Sequence, residues 1–468
     1  MKYKAPRARA VAITQGVIWK QMLAFFFPIL LGTFFQQLYN TADAMIVGQF
    51  VGKQALAAVG GTTGTLINLI VNLFVGLSAG TTVVIAQLVG AKRRAGVRRA
   101  VHTSLALAVV AGIGMTVLGL LFASPALRAM DTPADVLPHA QSYLNIILLG
   151  LAPSFLYNMG AGVLRAVGDT RRPLYFLITA CLVNIGLDLL FVAGFGMGVA
   201  GAALATILSQ ALAAVLTMLS LAKREDVIRF EWRRLRFSGK QLAAVLKVGL
   251  PAGLQSNMYA IANIIIQACI NGFGTNASAA WTAYGKVDGL FWMVMGAFGI
   301  SVSTFAGQNF GAGQLERVKK SAWVGLGLAS GTAALLSVLV CSFRAPLLGI
   351  FTSDAAVLQI GEGIVWMMAP YYLTYVCIEI FAAVIRGCGE SMPPMLMTAG
   401  GVCVLRLVWI AVALPQSYSL TTVLVSYPLS WVVTSAMFVV YYRFGGWRRR
   451  VGLDPAKFNF RPKAQGSM

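Results

Sequence analysis

The stretch AQLVGAKRRAGVRRA, residues 86–100, recurs in altered form as GQNFGAGQLERVKKS, residues 307–321. An offset of 221 residues aligns the two and pairs Gln87 with Gln308. At the same offset LRAVGDTRRP, which starts at residue 164, meets IRGCGESMPP, which starts at residue 385. Similarity at a fixed offset indicates that the chain consists of two related halves.

Long apolar runs are repeated through both halves. The 468 residues are 58% hydrophobic and only 11% charged, with a mean hydropathy of +0.76. This is far more apolar than a soluble globular protein, and runs of roughly 20 apolar residues are long enough to cross a bilayer as helices. We predict an all-α polytopic membrane protein with twelve spans, at about 20–46, 55–82, 97–122, 138–164, 173–195, 198–222, 241–271, 278–306, 320–343, 356–385, 393–414 and 419–442.

Basic residues are distributed unevenly between the two ends of these spans. All but five of the 37 Lys and Arg residues lie in the tails or in the even-numbered connections. Such asymmetry follows the positive-inside rule and predicts a multi-pass protein of the plasma (inner) membrane with both termini in the cytoplasm. The net charge of +22 then faces anionic lipid head groups, which we expect as partners in place of nucleic acid.

The repeat divides the spans into two sets of six. We predict an N-lobe over residues 1–222, a basic cytoplasmic linker over 223–240, a C-lobe over 241–442 and a basic cytoplasmic tail over 443–468. Because six is even, both lobes enter the membrane from the same side and are related by an axis along the membrane normal. Two such lobes around a central cavity are typical of a transporter.

Other classes of function find little support in the sequence. The six cysteines form no CxxC pair, and the chain has no HExxH, GxSxG or GxxxxGK motif, so we expect neither an enzyme nor a bound cofactor. A channel remains an alternative, although no repeated loop of the kind that forms a selectivity filter is visible.

Three motifs identify a resemblance. QLYNTADAMIVGQFVG from residue 37, AQLVGAKRR from residue 86 and LRAVGDTRRP from residue 164 resemble the multidrug and toxic compound extrusion (MATE) transporters, and the similarity runs along nearly the whole chain. Within that family, the sequence is most similar to the prokaryotic DinF-like branch. The resemblance implies a secondary antiporter that expels organic compounds in exchange for protons or sodium ions. A lipid-linked oligosaccharide flippase of the same superfamily is the alternative.

Acidic residues inside the first lobe suggest where the cation binds. Asp43 lies on one helical face with a polar stripe, and Asp188 follows Asn184 by four residues on another helix. With Thr206 they supply carboxylate, amide and hydroxyl oxygens, which suit Na⁺ or a shared proton. The resemblance implies the same cation site, at Asp43, Asn184, Asp188 and Thr206, and the stripe residues expected to support it are Gln36, Tyr39 and Asn40.

The repeat offers an internal control. Asp43 aligns with Ile266 at an offset of 223, and Asn184 and Asp188 align with Leu405 and Trp409 at an offset of 221. A scaffold shared by both lobes therefore does not need these acids, which favours coupling in the N-lobe alone. Pro28, which aligns with Pro251, permits a bend in the first span, and in similar transporters this helix changes its bend when the nearby acid is neutralised.

The second lobe has buried charges of its own. Lys286 and Asp288 are two residues apart and do not face each other on a helix, so we expect each to pair elsewhere. Asp288 or Glu379 could alternatively face the cavity, which would favour a cationic, amphipathic substrate. Tyr259 and Met293 could add an adaptable apolar wall. These C-lobe assignments are hypotheses, with structural pairing as the alternative.

Overall fold

A computed structural model describes residues 13–130 and 132–450, and over that part of the chain it contains helices and no strands. Eight α-helices form the N-lobe. A π-helical segment, Leu189–Gly194, continues the seventh. In chain order the helices are α1 (Ile18–Phe50), α2 (Lys53–Gly60), α3 (Thr62–Gly90), α4 (Arg94–Ala129), α5 (Leu137–Leu149), α6 (Leu151–Ala166), α7 (Arg171–Asp188) and α8 (Gly198–Ala222).

The C-lobe repeats this plan after a connection that contains one short 3₁₀ turn, Trp232–Arg234. A second 3₁₀ turn, Ala369–Tyr371, and a π-helical segment, Ala399–Val404, lie within it. Its helices are α9 (Gly239–Asn271), α10 (Thr275–Gly311), α11 (Leu315–Ser342), α12 (Arg344–Gly349), α13 (Ala355–Met368), α14 (Tyr372–Gly387), α15 (Met392–Thr398), α16 (Leu405–Ala413), α17 (Leu420–Phe444) and α18 (Trp447–Arg450). The predicted tail beyond residue 450 lies outside the described residues.

The predicted all-α, twelve-span fold is confirmed. Ten helices in the described ranges are long and apolar enough to cross a membrane, and α5 with α6, bent by 48°, makes an eleventh span. Helix α9 supplies the twelfth. At 33 residues it is about 50 Å long, but amides such as Gln255, Asn257 and Asn263 lower its hydropathy below that of the others.

Two of the seams between the lobes occupy equivalent positions in the repeat. In one seam α3 crosses α9 at glycines, and a Cβ on Gly80 would lie 2.6 Å from the backbone nitrogen of Gly249. In the other, α1 crosses α10 through aromatic rings, with Phe26 stacked on Phe298 at 4.1 Å between centroids. Backbone contact fixes the first seam, whereas side chains that can change rotamer fill the second.

One end of the bundle, which we call the basic face, carries the tails and the even-numbered connections. There the repeated motif ties the lobes together symmetrically: Gln87 donates to the carbonyl of Gly387 at 2.8 Å, and Gln308 donates to the carbonyl of Ala166 at 2.6 Å. Gly90 sits so close to the Gln308 carbonyl that a Cβ would clash. The motif therefore closes the bundle at the basic face; we call the other end the opposite face.

A candidate cation site in the N-lobe

The four predicted ligands come from three helices that pack against one another. Asp43 is near the end of α1, Asn184 and Asp188 are on α7, and Thr206 is on α8, and the structure contains contacts between each pair of these helices. All four side chains are buried, with Asp188 0% and Thr206 6% exposed. Tertiary packing thus brings together residues that are up to 163 positions apart in the sequence.

Most polar atoms of these side chains lack hydrogen-bond partners; the other oxygen of Asp43 is the one that Tyr143 can reach. Among the described residues no protein group bonds to Asp43 Oδ1, to either side-chain atom of Asn184, to either carboxylate oxygen of Asp188 or to Thr206 Oγ1. A buried polar group without a partner costs about 1–3 kcal/mol, and more when it is charged. The group of oxygens is therefore suited to bind a cation or a proton, which would remove that cost.

The two carboxylates act on each other. Asp43 and Asp188 are close enough for electrostatic interaction, and the phenol of Tyr143 on α5 neighbours Asp43. Two like charges in one buried site favour a state in which a shared cation or proton neutralises them. No three His, Cys, Asp or Glu side chains cluster anywhere in the described ranges, so the donor set fits a hard cation better than a transition metal.

The backbone at Asp188 departs from the regular helix. Asp188 is the last residue of α7, and the π-helical segment Leu189–Gly194 begins directly after it. A π-helical turn changes the direction in which neighbouring side chains project and often accompanies a functional site. The π-helical segment contains the run of large apolar residues LLFV, and nothing in the sequence pattern predicted the change of backbone geometry.

The residues of the predicted polar stripe on α1 do not all have the same surroundings. Gln36 and Tyr39 line a narrow cleft with Asn184, and Gln210 donates to the Tyr39 hydroxyl at 3.4 Å. About 30 Å³ of this cleft is open to the centre of a water molecule, which is room for about two waters. Asn40 is exposed and is not among the residues that line the cleft, so its supporting role stays a prediction.

Sequence reasoning missed several polar residues of this cleft. The fourth span contributes Ser154, Tyr157 and Asn158, and the sixth contributes Ser209 and Gln210. Ser154, Tyr157 and Asn158 are three and four residues apart, so they form a polar stripe on one helical face. The same kind of spacing that drew attention to Asp43 could have found them, but they carry no charge.

The equivalent region of the C-lobe is built differently. Ile266, which aligns with Asp43, is buried in the apolar core, and Trp409, which aligns with Asp188, donates to the carbonyl of Thr422 at 2.9 Å. Three residues before Trp409, the buried guanidinium of Arg406 lies 3.7 Å over the ring of Tyr427. The C-lobe thus contains a buried permanent cation, whereas the N-lobe presents oxygens that no described protein group bonds.

The C-lobe acids are fully engaged with protein groups. Asp288 accepts hydrogen bonds from Tyr372 at 2.7 Å, Tyr284 at 3.0 Å and Trp292 at 2.6 Å, and Arg406 lies within electrostatic range. These contacts support the structural alternative for Asp288.

Glu379, the other C-lobe acid, is paired as well. It accepts from Tyr375 at 3.3 Å and pairs with Arg386 at 3.8 Å. Both C-lobe carboxylates therefore have protein partners, although nothing tests whether either meets a substrate.

The predictions for the other C-lobe residues, Lys286, Tyr259 and Met293, compare differently with the structure. Lys286 was expected to pair with an acid, and this is wrong for the described residues, because the side chain is exposed and no ion pair includes it. Half-buried Tyr259 neighbours Glu379 and Tyr375, inside the lobe. Met293 is half-buried on α10, seven residues after Lys286, and its place in an apolar wall stays a prediction.

Comparison with known proteins agrees with the repeat. The family model MatE matches the chain twice, over residues 28–190 and 251–412. The chain is 28% identical to the probable multidrug resistance protein YoeA of Bacillus subtilis, over 92% of this chain and 95% of that protein. It is 26% identical to a protein of Shewanella oneidensis named FAD transporter, over 86% and 88% of the two chains.

A solved structure has the same fold. It is described as the outward-facing conformation of a multidrug resistance MATE family transporter of the MOP superfamily, and it superposes with a TM-score of 0.87. The superposition covers 95% of this chain and 98% of that one, at 23% sequence identity.

Proposed function

The chain belongs to the MatE family of membrane transporters, and from this premise we propose that it is a secondary active antiporter. It exports amphipathic organic compounds in exchange for protons or sodium ions that bind at Asp43, Asn184, Asp188 and Thr206. The observation that carries this proposal is the set of buried carboxylate, amide and hydroxyl atoms of these residues that have no hydrogen-bond partner in the described chain.

Coupling follows from what a cation does to this site. With both carboxylates charged, Asp43 and Asp188 repel each other and favour an arrangement of α1 that leaves them access to water. A bound cation or proton cancels the repulsion, so the helices can close around the site. If the exported compound and the cation bind preferentially to opposite arrangements of the helices, binding of one favours release of the other. This holds because a ligand shifts a conformational equilibrium only by the difference between its affinities for the two conformations.

Helix α1 is the element that we propose moves. It carries Asp43 and Pro28, and it meets α10 through the rings of Phe26 and Phe298. Its counterpart α9 also contains a proline, Pro251, but is held against α3 by backbone contact at glycines. We infer that neutralisation of Asp43 is converted into a change of bend at Pro28, which narrows the cavity and releases the exported compound.

Orientation follows from the charges. We propose that the basic face lies in the cytoplasm of a plasma (inner) membrane, so that the Gln87 and Gln308 hydrogen bonds close the cytoplasmic side. A cysteine in place of Phe460 is then expected to resist an impermeant thiol reagent in intact cells, and labelling there would contradict this orientation.

The charge of the exported compound is a separate question. The sequence favours a cation only if Asp288 or Glu379 faces the cavity, and both carboxylates already have protein partners. The relative named FAD transporter introduces a second candidate, an exported compound with negatively charged groups.

The decisive experiment uses the purified full chain in sealed vesicles with a fluorescent organic probe. Imposing a pH gradient alone or a sodium gradient alone is expected to drive uphill movement of the probe in one of the two cases. Downhill flux only would favour a channel, and movement of a lipid-linked oligosaccharide but of no small probe would favour the flippase.

A further inference from the structure

A cleft of about 750 Å³ opens on the C-lobe toward the opposite face. Its volume is in the range of sites that hold drug-sized ligands. The lining is a mixture of hydroxyl, amide and apolar groups with one charged side chain, Lys286. The residues are Asn271, Gly274, Thr275, Ser278, Ala279, Thr282, Ala283, Lys286, Phe351 and Thr352.

Lys286 lies deep in a membrane span. It is the twelfth residue of α10, which places its Cα about 17 Å along the helix from Thr275. A charged side chain facing lipid at such a depth costs several kcal/mol. The ammonium group is therefore accommodated by the cleft, where water and polar ligands reach it.

Residues around Lys286 on α10 support an open, polar surface. Thr275, Ala279, Thr282 and Gly289 are all exposed and recur three or four positions apart, on the same helical face as Lys286. These side chains are small or carry hydroxyl groups, whereas a surface that faces lipid is usually covered by large apolar residues. The face therefore presents hydrogen-bond donors and space to a ligand.

Among the described residues, no acidic side chain balances the positive charge in the cleft. None of the residues that line the cleft is acidic, and no described acid forms an ion pair with Lys286. The nearest acid in sequence, Asp288, is directed into the lobe, where Tyr284, Tyr372 and Trp292 donate to it. An ammonium group surrounded by hydroxyl groups is chemically complementary to a carboxylate or a phosphate.

We propose that Lys286 binds the anionic group of an exported compound, so that the substrates of this transporter include amphipathic organic anions. Thr282 and Ser278, one and two helical turns from Lys286, add hydroxyl donors, while Phe351 and Ala283 contact the apolar part of the ligand. This inference rests on the proposed export function and specifies the substrate class that one of its sites accepts.

The test compares two fluorescent probes, the anion carboxyfluorescein and the cation rhodamine 6G, in vesicles of neutral phosphatidylcholine. Neutral lipid removes anionic head groups as competitors for the cleft. Binding to the purified protein is measured by fluorescence polarisation, separately from transport. The variants are Lys286→Arg, Lys286→Gln and Lys286→Glu, and Lys240→Glu at the basic face is the matched control, because Lys240 is also exposed but lies outside the cleft.

We expect the parental protein to bind and export carboxyfluorescein. Lys286→Gln should raise the Kd for this anion at least tenfold, Lys286→Arg should change it less than threefold, and Lys286→Glu should abolish its binding. The Lys240→Glu control should match the parental protein. We also expect added anionic lipid to weaken carboxyfluorescein binding only when Lys286 is present. That result would further support the site.

Other outcomes separate the two proposals. If the parental protein exports rhodamine 6G but does not bind carboxyfluorescein, or if Lys286→Gln and Lys286→Glu bind the anion with parental affinity, the anion site is wrong and the export function stands. If carboxyfluorescein binds in a manner that depends on Lys286 but neither probe is exported against a gradient, the site is supported and the export function fails.

Discussion

The two lobes place buried carboxylates in opposite situations. In the N-lobe, Asp43 and Asp188 keep carboxylate oxygens to which no described protein group bonds. In the C-lobe, Asp288 accepts three hydrogen bonds from aromatic side chains, and Arg406 lies within electrostatic range. We therefore expect one lobe to accept a cation from solution, whereas the other contains a cation, Arg406, that cannot leave.

This difference shows how one duplicated scaffold can serve two purposes. The seal at the basic face is symmetric, since Gln87 and Gln308 make equivalent hydrogen bonds. The buried charges of the two lobes are not symmetric, because Ile266 and Trp409 stand in the C-lobe where Asp43 and Asp188 stand in the N-lobe. A fixed counter-charge stabilises a lobe in one arrangement, while an exchangeable one makes the arrangement depend on the ion gradient.

The largest effect is expected from Asp43→Asn. This change mimics the neutral site permanently, so gradient-driven export should fall below roughly a tenth of the parental rate, since differential affinity for the cation is what drives the exchange. Asp188→Asn should act in the same direction. Export by reconstituted protein under a pH or sodium gradient measures both.

The matched control is Asp288→Asn in the C-lobe, which should retain cation-coupled export. The comparison between the lobes fails if Asp43→Asn exports near the parental rate, or if Asp288→Asn removes coupling while Asp43→Asn preserves it. Asp43 would then be a buried residue whose role is structural.

The second effect concerns the fixed cation. Arg406→Met removes the buried cation that lies within electrostatic range of Asp288, and because removal of one partner of a directly paired buried charge costs about 3–5 kcal/mol, we expect a loss of stability of at most that size. Thermal unfolding of the purified variant in detergent should show this loss. The double variant Arg406→Met with Asp288→Asn should recover more than half of it, and an equal loss in the single and double variants would mean that the two charges are not coupled.

A third effect distinguishes the two prolines. Pro28→Ala should slow export about tenfold, because a helix without the proline kink bends less readily, while cation binding persists. Pro251→Ala should stay within about twofold of the parental rate, because glycine contacts already hold α9 against α3. Equal rates in the two variants would show that the seams do not differ in mobility.

The smallest effect is expected at the symmetric seal. Gln87→Ala and Gln308→Ala each remove one hydrogen bond between the lobes, worth about 1 kcal/mol or less after solvation, so each should raise opening at the basic face only about two- to fivefold. Labelling of a cysteine placed inside that seal measures the opening. A large difference between the two variants would contradict the equivalence of the repeated motif.

Prediction from sequence was most successful where a physical pattern is local. Apolar runs and the distribution of Lys and Arg were sufficient for the all-α, twelve-span fold, and helical spacing placed Asn184 and Asp188 on one face. Helical spacing and the family resemblance predict Asp43, Asn184, Asp188 and Thr206 as one site, and the structure buries them on three helices that touch. Whether they bind the coupling cation remains a prediction.

The features that sequence did not predict depend on contacts between distant segments. Tyr143 beside Asp43, Gln210 bonded to Tyr39 and the small cleft between α1 and α7 arise only when the helices pack. The engagement of Asp288 by Tyr372 joins residues 84 positions apart. That no described acid pairs with Lys286 can be seen only once the neighbouring helices are in place.

By itself, therefore, the sequence determined the number of spans, the duplication and the asymmetry of charge, because hydropathy, helical period and charge are properties of short segments. Only the tertiary structure decided which charges are satisfied and which stay free. The free energy of a buried charge depends on the donors, counter-charges and water within a few ångströms of it, and those neighbours come from other helices. The same carboxylate can thus be fixed in one lobe and available to a cation in the other.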